Sequence, residues 1–207
     1  FFIATVFACV KERKGIMKKQ ISVLLAMSLL LIALLSGCSK TPAEISAPEW
    51  ETASGTASGF SYEVPADWTT TEDVTGQGSI IYIPADADVS VGTSNVNILV
   101  QDVSGQKAVS MKDMKAALES DLENQLISNG FEKVENLKVE ELEAPIGSVC
   151  SVSYDTYLSG MKFTQTQFYP LIDDYIIVIT ATNVGDEVAP SVEEVAEYMA
   201  LTLKKAE

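Results

Sequence analysis

The chain has 207 residues, 47% of them apolar and 21% charged, with a formal net charge of −15 at pH 7. It has no His and one Arg, Arg13, which excludes Ser-His-Asp triads, Cys-His dyads and His-ligated metal sites. From Cys38 onward 28 acidic residues face nine lysines, so no basic footprint exists for nucleic acid or an anionic lipid surface, and the acidity reads as a soluble, self-repelling exterior.

Residues 1–16 precede an export signal and do not begin with Met. Lys11-Glu-Arg-Lys-Gly15 can be encoded by a nearly pure purine stretch at a suitable distance before Met17, as a ribosome-binding site would be. Met17 is therefore expected to be the true start, with 1–16 an untranslated leader read in frame; Cys9 would then be absent from the cell. Lys18 and Lys19 form a short positive start, and Ile21 to Leu35 carry no charge over 15 positions. That run is shorter than the roughly 20 residues a membrane-spanning helix needs. With Leu35-Ser-Gly-Cys38 after it, the segment 17–37 reads as a secretory signal ending in small residues. Leu-Ser-Gly-Cys resembles the lipobox of bacterial lipoproteins. The resemblance implies a diacylglyceryl group on the Cys38 thiol, cleavage before Cys38 and often acylation of the new amine. Two acyl chains suffice for stable anchoring. The mature protein is thus expected outside the cytoplasm, held to the cell membrane by lipid on Cys38.

Residues 38–58 are rich in Ser, Thr, Ala, Gly and Pro, the composition of a flexible tether. Trp50 is out of place there. It belongs to the tether or to a first edge strand near 49–53, and the sequence leaves both open.

The folded domain is expected over 59–207. Phe60 to Val64 reads as a short strand ended by Pro65, Ser79 to Ile83 as a strand ended by Pro84, and Val96 to Val103 as an alternating strand. Ser110 is a good N-cap with Asp113 three residues on, and Met111, Met114, Leu118, Leu122 and Leu126 form one apolar stripe, expected as core. Asn129-Gly130 ends that helix. Leu137 to Leu142 is a weak strand. Ser148 to Tyr157 and Met161 to Tyr169 pair across a tight Ser159-Gly160 turn. Asp173-Asp174 turns the chain into Tyr175 to Thr182, apolar enough to be covered on both faces. A last helix starts at Ser191 with Glu194 closing a capping box; Val192, Val195, Met199 and Leu203 face inward, and Lys204 and Lys205 suit its C-terminal end. This order predicts an α+β fold, an antiparallel sheet covered by helices, and no doubly wound nucleotide fold or Gly-rich phosphate loop.

Gly59-Phe-Ser-Tyr-Glu-Val-Pro-Ala-Asp-Trp68 resembles the opening of PsbP-like domains: Gly, an aromatic, a short strand, Pro, then Trp. The Tyr-rich hairpins and closing helix fit over about 59–205. The resemblance implies an α-β-α sandwich around an antiparallel sheet. It also implies a binding or accessory role, since the family includes photosystem extrinsic subunits, a small-GTPase-binding nuclear factor and many bacterial lipoproteins. This chain lacks the His and basic residues for metal or photosystem contacts, so neither role carries over.

No residue set indicates a cofactor or a catalytic or metal site. Cys150 alternates with Val152 and Tyr154 and reads as a buried structural thiol. Asp86 and Asp88 alternate as calcium ligands do, but Val91 stands where the loop needs Gly. Asp173 and Asp174 read as a hairpin tip. Tyr154, Tyr157, Phe168, Tyr169 and Tyr175 read as cross-strand packing pairs, or as a contact surface. The expected function is a non-catalytic binding or accessory module, with an envelope protein as possible partner. The alternatives are a hydrolase using a carboxylate pair and, against the mature chain's size, a transporter's solute-binding lipoprotein.

Overall fold

The computed structural model describes residues 45–71, 78–87, 93–104 and 110–206. The leader, the signal, Cys38 and Asp88 lie outside the described residues. The elements run β1 Thr52–Ala57, β2 Phe60–Pro65, β3 Thr69–Thr71, β4 Ile80–Ile83 and β5 Asn95–Asp102, then helix α1 Met111–Ser128. There follow β6 Val134–Ala144, β7 Gly147–Leu158, β8 Met161–Ile172, β9 Tyr175–Asn183, helix α2 Val192–Thr202 and the short β10 Lys204–Lys205. Strands β3-β4-β5-β9-β8-β7-β6 form a seven-stranded sheet, and β1-β2-β10 form a small second one. Every pairing between these strands is antiparallel. This is the expected α+β architecture of antiparallel sheet and covering helices.

Tight turns set the register. Ser159 and Gly160 join β7 to β8 with φ of +54° and +77°, and Ser58 and Gly59 join β1 to β2 with φ of +45° and +85°. Two-residue hairpins in which both central residues have positive φ match the twist of the strands they join.

Helix α2 lies between the sheets and carries the centre of the core. Val192, Val195, Met199 and Leu203 are each at most 2% exposed. They belong to one cluster with Phe60 and Tyr62 of β2 and Ile177 and Ile179 of β9. Burying each such side chain contributes about 1.5–3 kcal/mol. The helix begins with the capping box the sequence indicates: Ser191 Oγ accepts from the Glu194 amide at 3.2 Å, and the Ser191 amide donates to Glu194 Oε2 at 3.0 Å.

Several expectations are corrected. Thr52–Ala57, placed in the tether, form β1, because pairing with β2 satisfies their backbone and covers Tyr62. Trp50 packs edge-on against Tyr198 of α2, ring centroids 5.7 Å apart, so the folded unit begins near Trp50 rather than at Gly59. The short β3 has no counterpart in the sequence pattern, because three threonines carry no apolar alternation.

The apolar stripe of α1 is less buried than expected. Met114 is buried, but Met111, Leu118, Leu122 and Leu126 are half-buried. The reason is position: α1 rests on β6 and β7, the last two strands at one side of the sheet. Its ends are as predicted. Ser110 Oγ accepts from the Asp113 amide at 3.1 Å, and the Phe131 amide closes back onto the Leu126 carbonyl at 3.2 Å, with Gly130 at φ +101°.

Strand β8 continues through Pro170 to Ile172, beyond the Tyr169 end that the sequence predicts. Pro170 pairs with Val149 of β7, while the ladder to β9 breaks between Phe168 and Leu171. A missing N–H interrupts one side of a strand only. Lys204 and Lys205 do not sit on the helix end. Leu203 turns into the core in extended conformation, and the two lysines pair with Ser61 and Phe60 instead.

Candidate functional site: an uncharged sheet face

The residues singled out by sequence do not converge. Cys150 is fully buried under α1, and burial pushes its thiol pKa up, as a structural thiol requires. Asp86 is exposed in the turn closed by the Ala87 amide on the Pro84 carbonyl, 3.1 Å. Asp173 sits at a hairpin tip with φ +51° and is ion-paired with Lys205. Among the described residues no group of three or more Cys, Asp or Glu is arranged to hold a metal. No helix among them is long and apolar enough to cross a membrane.

The five aromatics split between environments. Phe168 belongs to the core on the α2 side, and Tyr175 stacks edge-on with Phe60 there at 5.3 Å. Tyr154 lies on the opposite face, and Tyr157 lies under the Lys133 ammonium at 4.0 Å. Neither reading of these rings holds as stated: none of the five directly opposes another across a ladder, and strand alternation sends neighbouring rings to opposite sides, so they form no single contact surface.

What the sheet does build is less visible in sequence. On the face away from α2, directly opposed residues of β8, β9 and β5 line up in rows. Gln165, Thr182 and Asn95 form one row, and Gln167, Thr180 and Asn97 the next. Beyond them the ladder between β8 and β9 is interrupted at Tyr169 while Val178 pairs with Leu99, and it resumes with Leu171, Ile176 and Gln101. The amides reach across the strands: Gln165 Nε2 donates to Thr182 Oγ1 at 3.3 Å, Gln167 Nε2 weakly to Thr180 Oγ1 at 3.5 Å, and the Tyr169 hydroxyl to Gln167 Oε1.

None of these twelve residues is charged, in a chain with formal charge −15. Glutamines 165 and 167, Val178 and Leu99 are partly exposed, because α1 lies to the side, over β6 and β7, while Tyr169 packs beside Tyr154 and Cys150, where burial pushes its hydroxyl pKa up. These rows therefore offer paired amides and hydroxyls beside apolar side chains, with no acid or base among the twelve. The face's strand alternation was readable in Thr164-Gln-Thr-Gln167; its cross-strand rows were not.

A concavity of about 360 Å³ opens at the β6–β7 turn and the start of β10. Pro145, Ile146, Ile172 and Leu203 line it beside Lys204, Lys205 and Asp173. Asp173 is its one carboxylate, so it provides no pair of the kind that cleaves glycosides.

Two polar clusters are structural. Asp155 on β7, 5% exposed, accepts from Asn136 Nδ2 and Thr164 Oγ1 at 2.6 Å each and from Lys162 Nζ at 3.0 Å. Burial raises its pKa, but these donors outweigh it and hold the carboxyl below its ordinary range. Asp186 clips β5 to the end of β9, accepting from the Ser94 amide at 3.2 Å and from the Ser94 hydroxyl.

No family model and no curated protein matches the chain. Solved structures do. The chain is similar to cyanobacterial PsbP (CyanoP) of Synechocystis, with a TM-score of 0.54 at 12% identity, covering 82% of this chain and 99% of that one. It also resembles LpqN, a protein involved in cell envelope biogenesis in Mycobacterium tuberculosis, at TM-score 0.46 and 10% identity, covering 77% and 93%. The first likeness shows that the chain has the PsbP fold.

Proposed function

We propose that this protein is a lipoprotein, tethered to a membrane through Cys38, whose PsbP-fold domain serves as a non-catalytic binding or accessory module at the cell envelope. The observation that carries the reading is the short stretch of sequence from Leu35-Ser-Gly-Cys38 to Trp50, the first of the described residues packed against the core. Residues 39–49 have linker composition, and a coil of that length reaches roughly 18 Å. Such a tether holds a folded module just above lipid head groups. The PsbP fold and the uncharged face support binding over chemistry. The carboxylate-hydrolase alternative gains nothing from the concavity at Asp173.

The test is Cys38→Ala in the native host. The wild-type protein is expected in the membrane fraction with lipid mass on Cys38, and the variant in the soluble fraction or as uncleaved precursor. Membrane retention of the wild type without lipid on Cys38 would overturn the anchoring. Crosslinking in living cells with the anchor intact then tests the module: an envelope component captured through the uncharged face is the expected result.

A further inference from the structure

Among the described residues the two sheets end in four edge strands, β1, β10, β3 and β6. Three of them carry devices that keep an edge from pairing. Strands β3 and β10 are three and two residues long. Strand β6 carries five charged side chains, Glu135, Lys138, Glu140, Glu141 and Glu143, and a bulge between Glu135 and Lys138. Strand β1 has none of these: its six residues, Thr-Ala-Ser-Gly-Thr-Ala, hold no charge and no Pro, and run in unbroken register with β2. Its free edge has a definite pattern. The Ala66 amide donates to the Glu51 carbonyl at 2.9 Å, so along the antiparallel ladder Ala53, Gly55 and Ala57 also turn their N–H and C=O groups to β2. Thr52, Ser54 and Thr56 turn theirs outward, where none bonds to a described backbone group, and all three residues are exposed.

We infer that β1 pairs antiparallel with β1 of a second copy, with Ser54 on the two-fold axis, an inference that rests on the anchored-module reading above. Outward-turned residues must face outward-turned residues. The register that uses all three sets Ser54 against the second copy's Ser54 and Thr56 against its Thr52. These are hydroxyl pairs of the kind that stabilise neighbouring strands. Glu51 then falls opposite Ala57, so no like charges meet along the seam. The contact is self-complementary, as a two-fold interface requires. A tether over residues 39–49 holds every copy at one height above one membrane, which raises the concentration of the same edge around each molecule. Repulsion between two chains of charge −15 opposes the pairing, but it is screened beyond about 8 Å at 0.15 M salt and the seam itself is uncharged.

The test is Ser54→Cys in the native host, with the membranes mildly oxidised before non-reducing electrophoresis. Residues opposed in a hydrogen-bonded antiparallel pair have Cα atoms about 5.5 Å apart, inside the disulfide range of about 4.4–6.8 Å. A covalent dimer is expected from this variant, and none from the wild type or from Glu140→Cys on β6. Sedimentation of the detergent-solubilised full chain gives the second measurement. A monomer–dimer equilibrium is expected that tightens as NaCl rises from about 0.05 to 0.5 M. Ser54→Lys sets ammonium against ammonium on the axis and should weaken the dimer at least about tenfold. Where that variant fails to fold, Ser54→Pro decides, since it removes an outward N–H and no bond to β2. The absence of a Ser54→Cys dimer in membranes, or a detergent dimer indifferent to both substitutions, overturns the inference. A disulfide from Ser54→Cys to a different envelope protein also overturns it, while leaving the module reading intact. A dimer sensitive to Ser54→Lys in a chain recovered without lipid on Cys38 keeps the β1 pairing and removes the anchoring.

Discussion

Gly55 and Tyr62 are direct partners across β1 and β2, with no space between them for a side chain. A Cβ on Gly55 would stand 2.4 Å from Tyr62 Cε2 and 2.6 Å from the Tyr82 hydroxyl oxygen. The two tyrosines are buried, share a hydrogen bond of 3.0 Å and meet edge to face with centroids 6.1 Å apart. Neither ring can swing aside without opening the core. Gly55→Ala should therefore destabilise the domain by about 1–3 kcal/mol, read as a lowered urea midpoint at unchanged slope. A variant as stable as the wild type would show that β1 does not pack on these rings.

The same contact fixes where the domain starts. A fragment beginning at Ile45 should melt cooperatively. One beginning at Gly59 loses β1 and the Trp50–Tyr198 contact, and should melt at least several degrees lower. Coincident melts by calorimetry would return residues 45–58 to the tether.

Trp68 lies just past β2, is 8% exposed and belongs to the main core. Trp68→Ala should cost about 3–5 kcal/mol. Denaturant titration followed by far-UV circular dichroism measures it; a cost under about 1 kcal/mol would contradict the burial.

Asp155 gives stability a pH dependence of known sign. Its folded pKa is depressed, so its contribution is present above the unfolded value of about 3.9 and is lost as pH falls through the folded one. Asp186, where burial raises the pKa but the Ser94 and Thr93 donors lower it further, acts in the same direction. The urea midpoint should fall as pH drops from 5 to about 3, and Asp155→Asn should flatten part of that fall. An identical pH profile for variant and wild type would remove Asp155 from the account.

Cys150 should be silent in the folded state. With its thiol buried and its pKa raised, it should react with a disulfide reagent at neutral pH only as fast as the domain opens. Rapid labelling in native buffer would show that α1 lifts from β7 far more readily than its contacts indicate.

Local rules carried much of the architecture. Ser191 with Glu194, Ser110 with Asp113, and the Ser159-Gly160 turn are settled by groups within a few residues, and each stands where the sequence puts it. Errors arose where distant segments decide. Thr52–Ala57 has no apolar alternation of its own and is a strand because β2 lies beside it. The stripe on α1 has helical spacing, but spacing does not say that the helix lands at a sheet's side. The uncharged face needs three strands in register. Gln167, Thr180 and Asn97 come from separate segments, and each alone reads as an ordinary polar position.

Strand β2 is held on one side by β1, a two-residue turn away, and on the other by β10, roughly 140 residues later. The hairpin series β6 to β9 needs only near neighbours and can zip as it is made. The small sheet cannot: Phe60 and Ser61 keep one bare backbone edge until Lys204 and Lys205 arrive, and Gly59 waits for the Ala206 amide. A chain emerging in order from N to C would thus display an unfinished strand until its last residues are made.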